Sequence, residues 1–362
     1  AVMGRWRVFL FLGLALWAMT VPVLAAELPA DVENALPRDA GRLLDGVEQW
    51  DAGSLTDGIR SIWDHLKSDA SNILRSRTRG AASILLVVLL CSLVDGFRKS
   101  AGDSTRFLPM AGALAITALT AGSLDSLMGQ GTAAIERMNT FSKALLPTLA
   151  AVTALSGGVA GATLRQLATV FFADLLLEVI HGLLMPMVYL YAGALAAGSS
   201  LSDKRLLAAA EMIRTVCTRL LTTVLLIFTL YLTVSGIFAG TVDSARVRVA
   251  KTAISGVVPV VGGIIAEAAE TVLAGAGMLK GTIGMFGLLG VLALCAYPFL
   301  HLGIQYLLYK LTGFLASVIG SPELCGLIKG LGGAFGLILG MVGSCALVLL
   351  VSVLASAAVV TA

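Results

Sequence analysis

Long runs of apolar residues recur along the chain and are separated by short polar segments. Six runs carry so little charge that they can cross a membrane as helices, since about 20 apolar residues span a hydrocarbon core. They are Ala81–Val94, Leu108–Leu127, Leu167–Ala197, Val216–Ala239, Gly284–Tyr309 and Leu331–Val360. The pattern predicts an all-α fold, a polytopic transmembrane helical bundle.

Two further apolar stretches are interrupted by proline and glycine. Ala144–Leu164 is interrupted at Pro147 and by later glycines. Ile254–Gly275 is interrupted at Pro259, Gly262 and Gly263. Broken backbone at membrane depth is tolerated where protein or a water-filled cavity satisfies its polar groups. Each stretch is therefore a candidate hairpin, either re-entrant or fully crossing.

The chain resembles itself at an offset of 120 residues. His181 then matches His301, and Tyr189 matches Tyr309. This predicts two membrane repeat units, residues 141–239 and 249–362. Re-entrant hairpins would give the units the same orientation and crossing hairpins would invert them. The basic residues divide almost equally between these alternatives, which leaves the orientation open.

The amino-terminal part has a different character. Arg5 and Arg7 precede a short apolar stretch and a small-residue site near Ala25, which predicts a signal peptide at 1–25. An uncleaved first transmembrane helix is the alternative. An extracytoplasmic segment at 26–79 follows, and the first two transmembrane helices at 80–140 complete the predicted organisation.

The segment at 26–79 holds ten of the 22 acidic residues of the chain. Apolar residues fall there at helical spacing, at Ile59, Ile62, Trp63 and Leu66. This predicts an amphipathic helix that lies on the membrane surface or on the rest of the protein. A docking surface for an extracytoplasmic partner is the sharper alternative.

The composition agrees with a membrane location and excludes other classes. The chain is 57% hydrophobic and 13% charged, about half the charge of a soluble domain. A net charge of +3 implies no nucleic-acid partner. No zinc-protease, serine-hydrolase or phosphate-loop motif is present, and the five cysteines lack metal-site spacing. We therefore expect no enzymatic activity, no metal and no cofactor.

Three ionisable residues share one helical face within an apolar run. Asp174, Glu178 and His181 lie at i, i+4 and i+7, and ionisable groups in a membrane are costly enough to suggest a role. They form either an ion or proton relay or a polar seam that pairs with other helices. After the second broken stretch, Glu267 and Glu270 either line a pore mouth or form a solvated face.

Small residues recur at four-residue spacing near the carboxyl end. They are Gly332, Gly336, Gly340 and Ser344. Such a stripe lets two helices approach closely and predicts a helix-packing face, within the chain or between copies in a homo-oligomer.

Two long strings in the second half resemble a known family. They are VSGIFAGTVDSARVRVAKTAISGVVPVVGGIIAEAAETVLAGAGMLKGTIG at 234–284 and YPFLHLGIQYLLYKLTGFLASVIGSPELCGLIKGLG at 297–332. Both resemble stage III sporulation protein AE of endospore-forming bacteria. The order of signal peptide, polar segment and polytopic body also matches that family.

The resemblance implies a location and a role. It implies a multi-pass protein of the mother-cell membrane around the forespore, whose partners are other membrane proteins of a channel-like or secretion-like complex. That complex sustains late forespore development and sigma-factor activity. The chain would be its permease-like or export-gate-like subunit. The alternatives are a stand-alone secondary transporter and a structural platform for ring-forming partners.

Overall fold

The computed structural model describes residues 34–44, 54–100, 107–155, 160–234 and 282–360. Over these residues the regular structure is entirely helical. The predicted signal peptide at 1–25 lies outside the described residues. The same holds for the residues predicted at the second hairpin, namely Pro259, Gly262, Gly263, Glu267 and Glu270.

Most of the described helices are long. In chain order the described elements are α1 (Arg38–Arg42), α2 (Ser54–Ser100), α3 (Phe107–Leu155), α4 (Ala160–Val179), a π-helical turn (Ile180–Leu184), α5 (Met185–Leu201), α6 (Lys204–Val234), α7 (Thr282–Ile319) and α8 (Pro322–Val360). Within the described part of the chain, six helical stretches are long and apolar enough to cross a membrane. The prediction of an all-α polytopic bundle is confirmed.

The helices pack so that three connections share one end of the bundle. They join α2 to α3, α5 to α6 and α7 to α8, and we call this end the tip end. Gly320 approaches Val88 there. At the opposite end, Gly287 of α7 approaches Leu145 of α3 and Val353 of α8. Helices α5 and α7 therefore both run towards the tip end, while α6 and α8 run away from it.

Helix α8 occupies the centre of the bundle. It packs against α3, α4, α5, α6 and α7, and its most apolar stretch is completely buried. Its sequence favours this position, because small residues such as Gly332 and Gly336 let neighbouring helices approach closely.

Helices α2 and α3 are much longer than a membrane is thick. With 47 and 49 residues, each extends for about 70 Å at 1.5 Å per residue. The predicted boundaries at 79/80 and 140/141 therefore fall inside helices.

The predicted amphipathic stripe on α2 is only partly buried. Ile62 is buried and Leu66 packs against the core, whereas Trp63 is 66% exposed.

Pro147 does not interrupt its helix, although the helix ends within the predicted stretch Ala144–Leu164. Helix α3 passes through it and ends at Leu155. Proline removes one backbone hydrogen bond and crowds the preceding turn, but a helix within a packed bundle tolerates this loss. The buried side chains of Leu145, Leu146 and Leu149 anchor the helix on both sides of the proline.

Two local backbone features, a π-helical turn and a left-handed residue, shape the stretch from α4 to α6. Pro186 lacks the N–H that would bond the Gly182 carbonyl, and the helix widens there into the π-helical turn. At the tip, Ser202 adopts a left-handed conformation with φ of 52° and ends α5. Gly198 is needed at this turn because a Cβ would lie 3.0 Å from the Leu207 backbone nitrogen.

Candidate functional site

The predicted relay residues Asp174, Glu178 and His181 lie on α4 and the π-helical turn. Asp174 and Glu178 are exposed. Asp174 Oδ1 lies 3.9 Å from Lys143 Nζ of α3, an ion pair whose two side chains are each more than half exposed. Exposed pairs of this kind contribute little to stability. Among the described residues, no group of three His, Cys, Asp or Glu side chains could hold a metal ion.

The two histidines matched at an offset of 120 share one unusual feature. Nδ1 of His181 and Nδ1 of His301 are both buried without a hydrogen-bond partner. Buried polar atoms are normally satisfied, so each such atom calls for an explanation. Arg77 and Asp69 of α2 act electrostatically on His301, so that charged groups surround this second histidine.

A row of polar side chains follows one side of α7. Tyr297, His301, Gln305 and Tyr309 succeed one another at four-residue steps, which places neighbours over each other on a helix. The Tyr297 hydroxyl donates a 2.5 Å hydrogen bond to Asp69 Oδ2 of α2. Gln305 is only 4% exposed, and its Oε1 has no partner. The row therefore places polar atoms without hydrogen-bond partners in the interior of the bundle.

Tyr309, the last residue of this row, contacts helix α3. The Tyr309 hydroxyl donates a 3.0 Å hydrogen bond to Thr120 Oγ1. Thr120 also lines a cavity of about 260 Å³ between α3, α5 and α8, together with Thr117, Asp125 and Tyr189. The Thr117 hydroxyl is buried and unpartnered. Tyr309 thus contacts Thr120, and Tyr189 of the offset pair lines the cavity that this threonine borders.

A second cavity, of about 330 Å³, lies near the tip end between α5, α6, α7 and α8. We call it the tip cavity. Three of its lining residues are basic and one is acidic: Arg214, Lys310, Lys329 and Glu211. Glu211 pairs with Arg214 at 3.4 Å.

The walls of the tip cavity are held by contacts to α8. The Tyr191 hydroxyl donates a 2.8 Å hydrogen bond to the Gly330 carbonyl. A Cβ at Gly333 would lie 3.2 Å from that hydroxyl and 3.5 Å from Arg214 Nε. The missing side chain at Gly333 therefore leaves room for the guanidinium beside α8.

The predicted glycine face lies on α8 and is turned partly to α7. A Cβ at Gly336 would lie 2.8 Å from Tyr306 Cε2, and one at Gly332 would lie 3.2 Å from Tyr309 Cβ. Gly340 is buried and accepts a 2.7 Å hydrogen bond from Ser344 Oγ. Gly332 and Gly336 thereby bring the aromatic side chains of α7 against the α8 backbone.

Several residues of these polar sites were not among the sequence candidates. Tyr297 and Gln305 could have been found, because a four-residue polar period within an apolar run is visible in the sequence. Arg214, Lys310 and Lys329 come from three helices, and no spacing in the sequence shows that they meet. They meet only because the α5–α6 hairpin packs against the α7–α8 hairpin.

The fold and these sites define a class, namely polytopic helical membrane proteins with polar groups and cavities inside the bundle. A family model described as stage III sporulation protein AE matches residues 44–360. The chain belongs to this family. It is 24% identical over 282 residues to the stage III sporulation protein AE of Bacillus subtilis (strain 168), covering 77% of this chain and 70% of that protein. No solved structure matches.

Proposed function

We propose that the chain is the membrane-spanning conduit subunit of a sporulation complex between mother cell and forespore. In this role it acts as a permease-like or export-gate-like component in the mother-cell membrane. The polar row on α7 carries the proposal. The row ends at Tyr309 and is followed, beyond Gly313, by Ser317 of the tip cavity, 20 residues after Tyr297. At 1.5 Å per residue this is about 30 Å, the thickness of a hydrocarbon core.

A conduit explains polarity that a scaffold does not need. Unpartnered polar atoms lower the stability of a bundle, and a platform for other proteins would function with apolar residues at His301 and Gln305. Polar side chains inside a membrane protein instead commonly line the path of an ion or a polar substrate. The platform remains the second candidate, and the close α7–α8 packing at Gly332 and Gly336 favours it.

An internal duplication supports the same proposal. The end of α5, shifted by 120 residues, falls at 321, close to the end of α7 at Ile319. The start of α6, shifted in the same way, falls at 324, close to the start of α8 at Pro322. Each of the paired histidines has a buried Nδ1 without a hydrogen-bond partner. Transporter folds are often built from repeats whose binding sites lie at the repeat interface. The tip cavity lies at this interface.

The charges at the tip end support an orientation with this end in the cytoplasm. Arg98 and Lys99 end α2, while Lys204 and Arg205 begin α6, and cytoplasmic connections are rich in such residues. The predicted signal peptide would place the start of α2 outside, which agrees. Asp174, Glu178 and His181 would then lie towards the outer side, where a relay could receive ions or protons.

Substituting Gln305 with leucine tests the conduit. The variant removes a buried amide with an unpartnered oxygen, so we expect the melting temperature of the purified protein to rise. In a sporulating host that lacks its own family member, we expect the yield of heat-resistant spores to fall on the order of tenfold, because an apolar side chain closes the polar path.

The control is Leu307→Ile on the same helix, where the side chain is 58% exposed. It should change neither measurement. A normal spore yield with Gln305→Leu, at normal protein level, would contradict the conduit. Co-purification of the partner proteins with Gln305→Leu separates a blocked conduit from a complex that fails to assemble.

A further inference from the structure

The tip cavity carries more positive charge than the described side chains neutralise. Arg214, Lys310 and Lys329 face the single carboxylate of Glu211, and both oxygens of that carboxylate lie 3.4 Å from one nitrogen of Arg214. Within the described part of the chain, neither lysine has a carboxylate within 4 Å. No described carboxylate therefore neutralises these two ammonium groups.

The positions of the two lysines converge on the cavity. Lys310 Nζ lies 5.5 Å from the centre of the Tyr306 ring, a cation–π contact that fixes its direction without neutralising its charge. Lys329 lies one turn from the α8 glycines, and its stem packs at 3.1 Å from the position of a Cβ on Gly313. The absence of a side chain at Gly313 lets this second lysine lie against α7.

The rim of the tip cavity is apolar and open on the side of α7. Phe314 lines the cavity and is nevertheless 65% exposed. Leu311 and Val318, one turn away in either direction, are also largely exposed. On a membrane-spanning helix these side chains face acyl chains. A ligand that fits both features has an anionic head and an apolar tail.

We propose that the tip cavity binds the phosphate headgroup of an anionic phospholipid. The phosphate interacts with Lys310, Lys329 and Arg214, and an acyl chain lies along Leu311, Phe314 and Val318. Basic pockets between transmembrane helices bind lipid phosphates in this way. A free phosphate ion would make the same contacts with the basic side chains. A phospholipid would in addition contact the apolar rim, which distinguishes the two ligands. This site does not depend on the conduit, because a platform protein could bind lipid equally well.

Lipid binding to the full-length protein in neutral detergent tests the proposal. Phosphatidylglycerol and phosphatidylcholine with identical acyl chains are titrated separately, and bound lipid is counted by native mass spectrometry. We expect phosphatidylglycerol to bind more tightly. The double variant Lys310→Gln/Lys329→Gln should weaken its binding about tenfold or more, while the affinity for phosphatidylcholine stays unchanged.

The matched control is Lys67→Gln/Lys143→Gln, which removes the same charge from exposed lysines of α2 and α3. It should bind phosphatidylglycerol as the native protein does. Equal affinity of the native protein for both lipids would overturn the proposal, as would undiminished binding by the Lys310/Lys329 variant with its melting temperature unchanged. Competition by millimolar inorganic phosphate that abolishes the preference would also overturn it, in favour of a free-anion site.

Discussion

Replacing Gly336 with leucine should prevent α7 and α8 from packing, and the protein should accumulate poorly or unfold at a much lower temperature. A Cβ at this position would lie 2.8 Å from Cε2 and 3.1 Å from Cδ2 of Tyr306. Tyr306 is only 7% exposed, so its ring has little room to move. Overpacking costs about 1–3 kcal/mol for a few extra methylenes, and the rigid ring places leucine at the upper limit or beyond.

Gly303→Leu is the matched control for this experiment. Gly303 lies on α7, and a Cβ there would meet no atom within 4 Å. Leucine also has a higher helix propensity than glycine by about 0.8 kcal/mol, so the control should be neutral or slightly stabilising. Thermal unfolding in detergent, followed by circular dichroism, compares the two. Equal melting temperatures would show that the glycine face does not determine the α7–α8 contact.

Phe335→Ala should destabilise the bundle by the opposite mechanism, through an empty space instead of a clash. The Phe335 side chain is completely buried, and its ring meets that of Tyr309 edge-on at 4.9 Å between centroids. Removing a buried phenylalanine costs about 3–5 kcal/mol in soluble proteins. Lipid tails are as apolar as the protein interior, so the transfer contribution is small and the cost of the empty cavity remains. We therefore expect a loss of unfolding free energy of about 3 kcal/mol.

The control for this substitution is Phe97→Ala on α2, where the side chain is 77% exposed. Its removal opens no internal cavity, so the free energy of unfolding should change by less than about 0.5 kcal/mol. Unfolding by dodecyl sulfate in mixed micelles measures both variants. If both lost equal stability, α8 would not be the packed centre of the fold.

The sequence predicted the membrane helices well because apolar length is a direct physical requirement. Ala81–Val94 lies within α2, and Leu331–Val360 lies within α8. It did not predict how far these helices extend. Ser54 to Arg79 is polar, and nothing between it and the apolar run terminates a helix, so α2 continues through both. A change from polar to apolar sequence marks a change of environment but not the end of a helix.

Proline has different effects on the helix at two positions. At Pro147 the helix continues, because buried leucines on both sides hold it in place. At Pro186 the helix widens into a π-helical turn. The presence of a proline therefore does not by itself predict how a helix responds. The tip cavity shows the same limit, since its basic residues are far apart in the sequence and meet only through tertiary packing.

The central position of α8 has a consequence for the order of events during synthesis. This helix follows all the other described helices along the chain, yet it is the one that they surround. The earlier helices therefore enter the membrane before the element that holds them together has left the ribosome. Their mutual contacts are provisional until α8 arrives, and quality-control proteases have their best opportunity in that interval. A variant weakened in α8 should accordingly be lost during biogenesis more than from the finished protein.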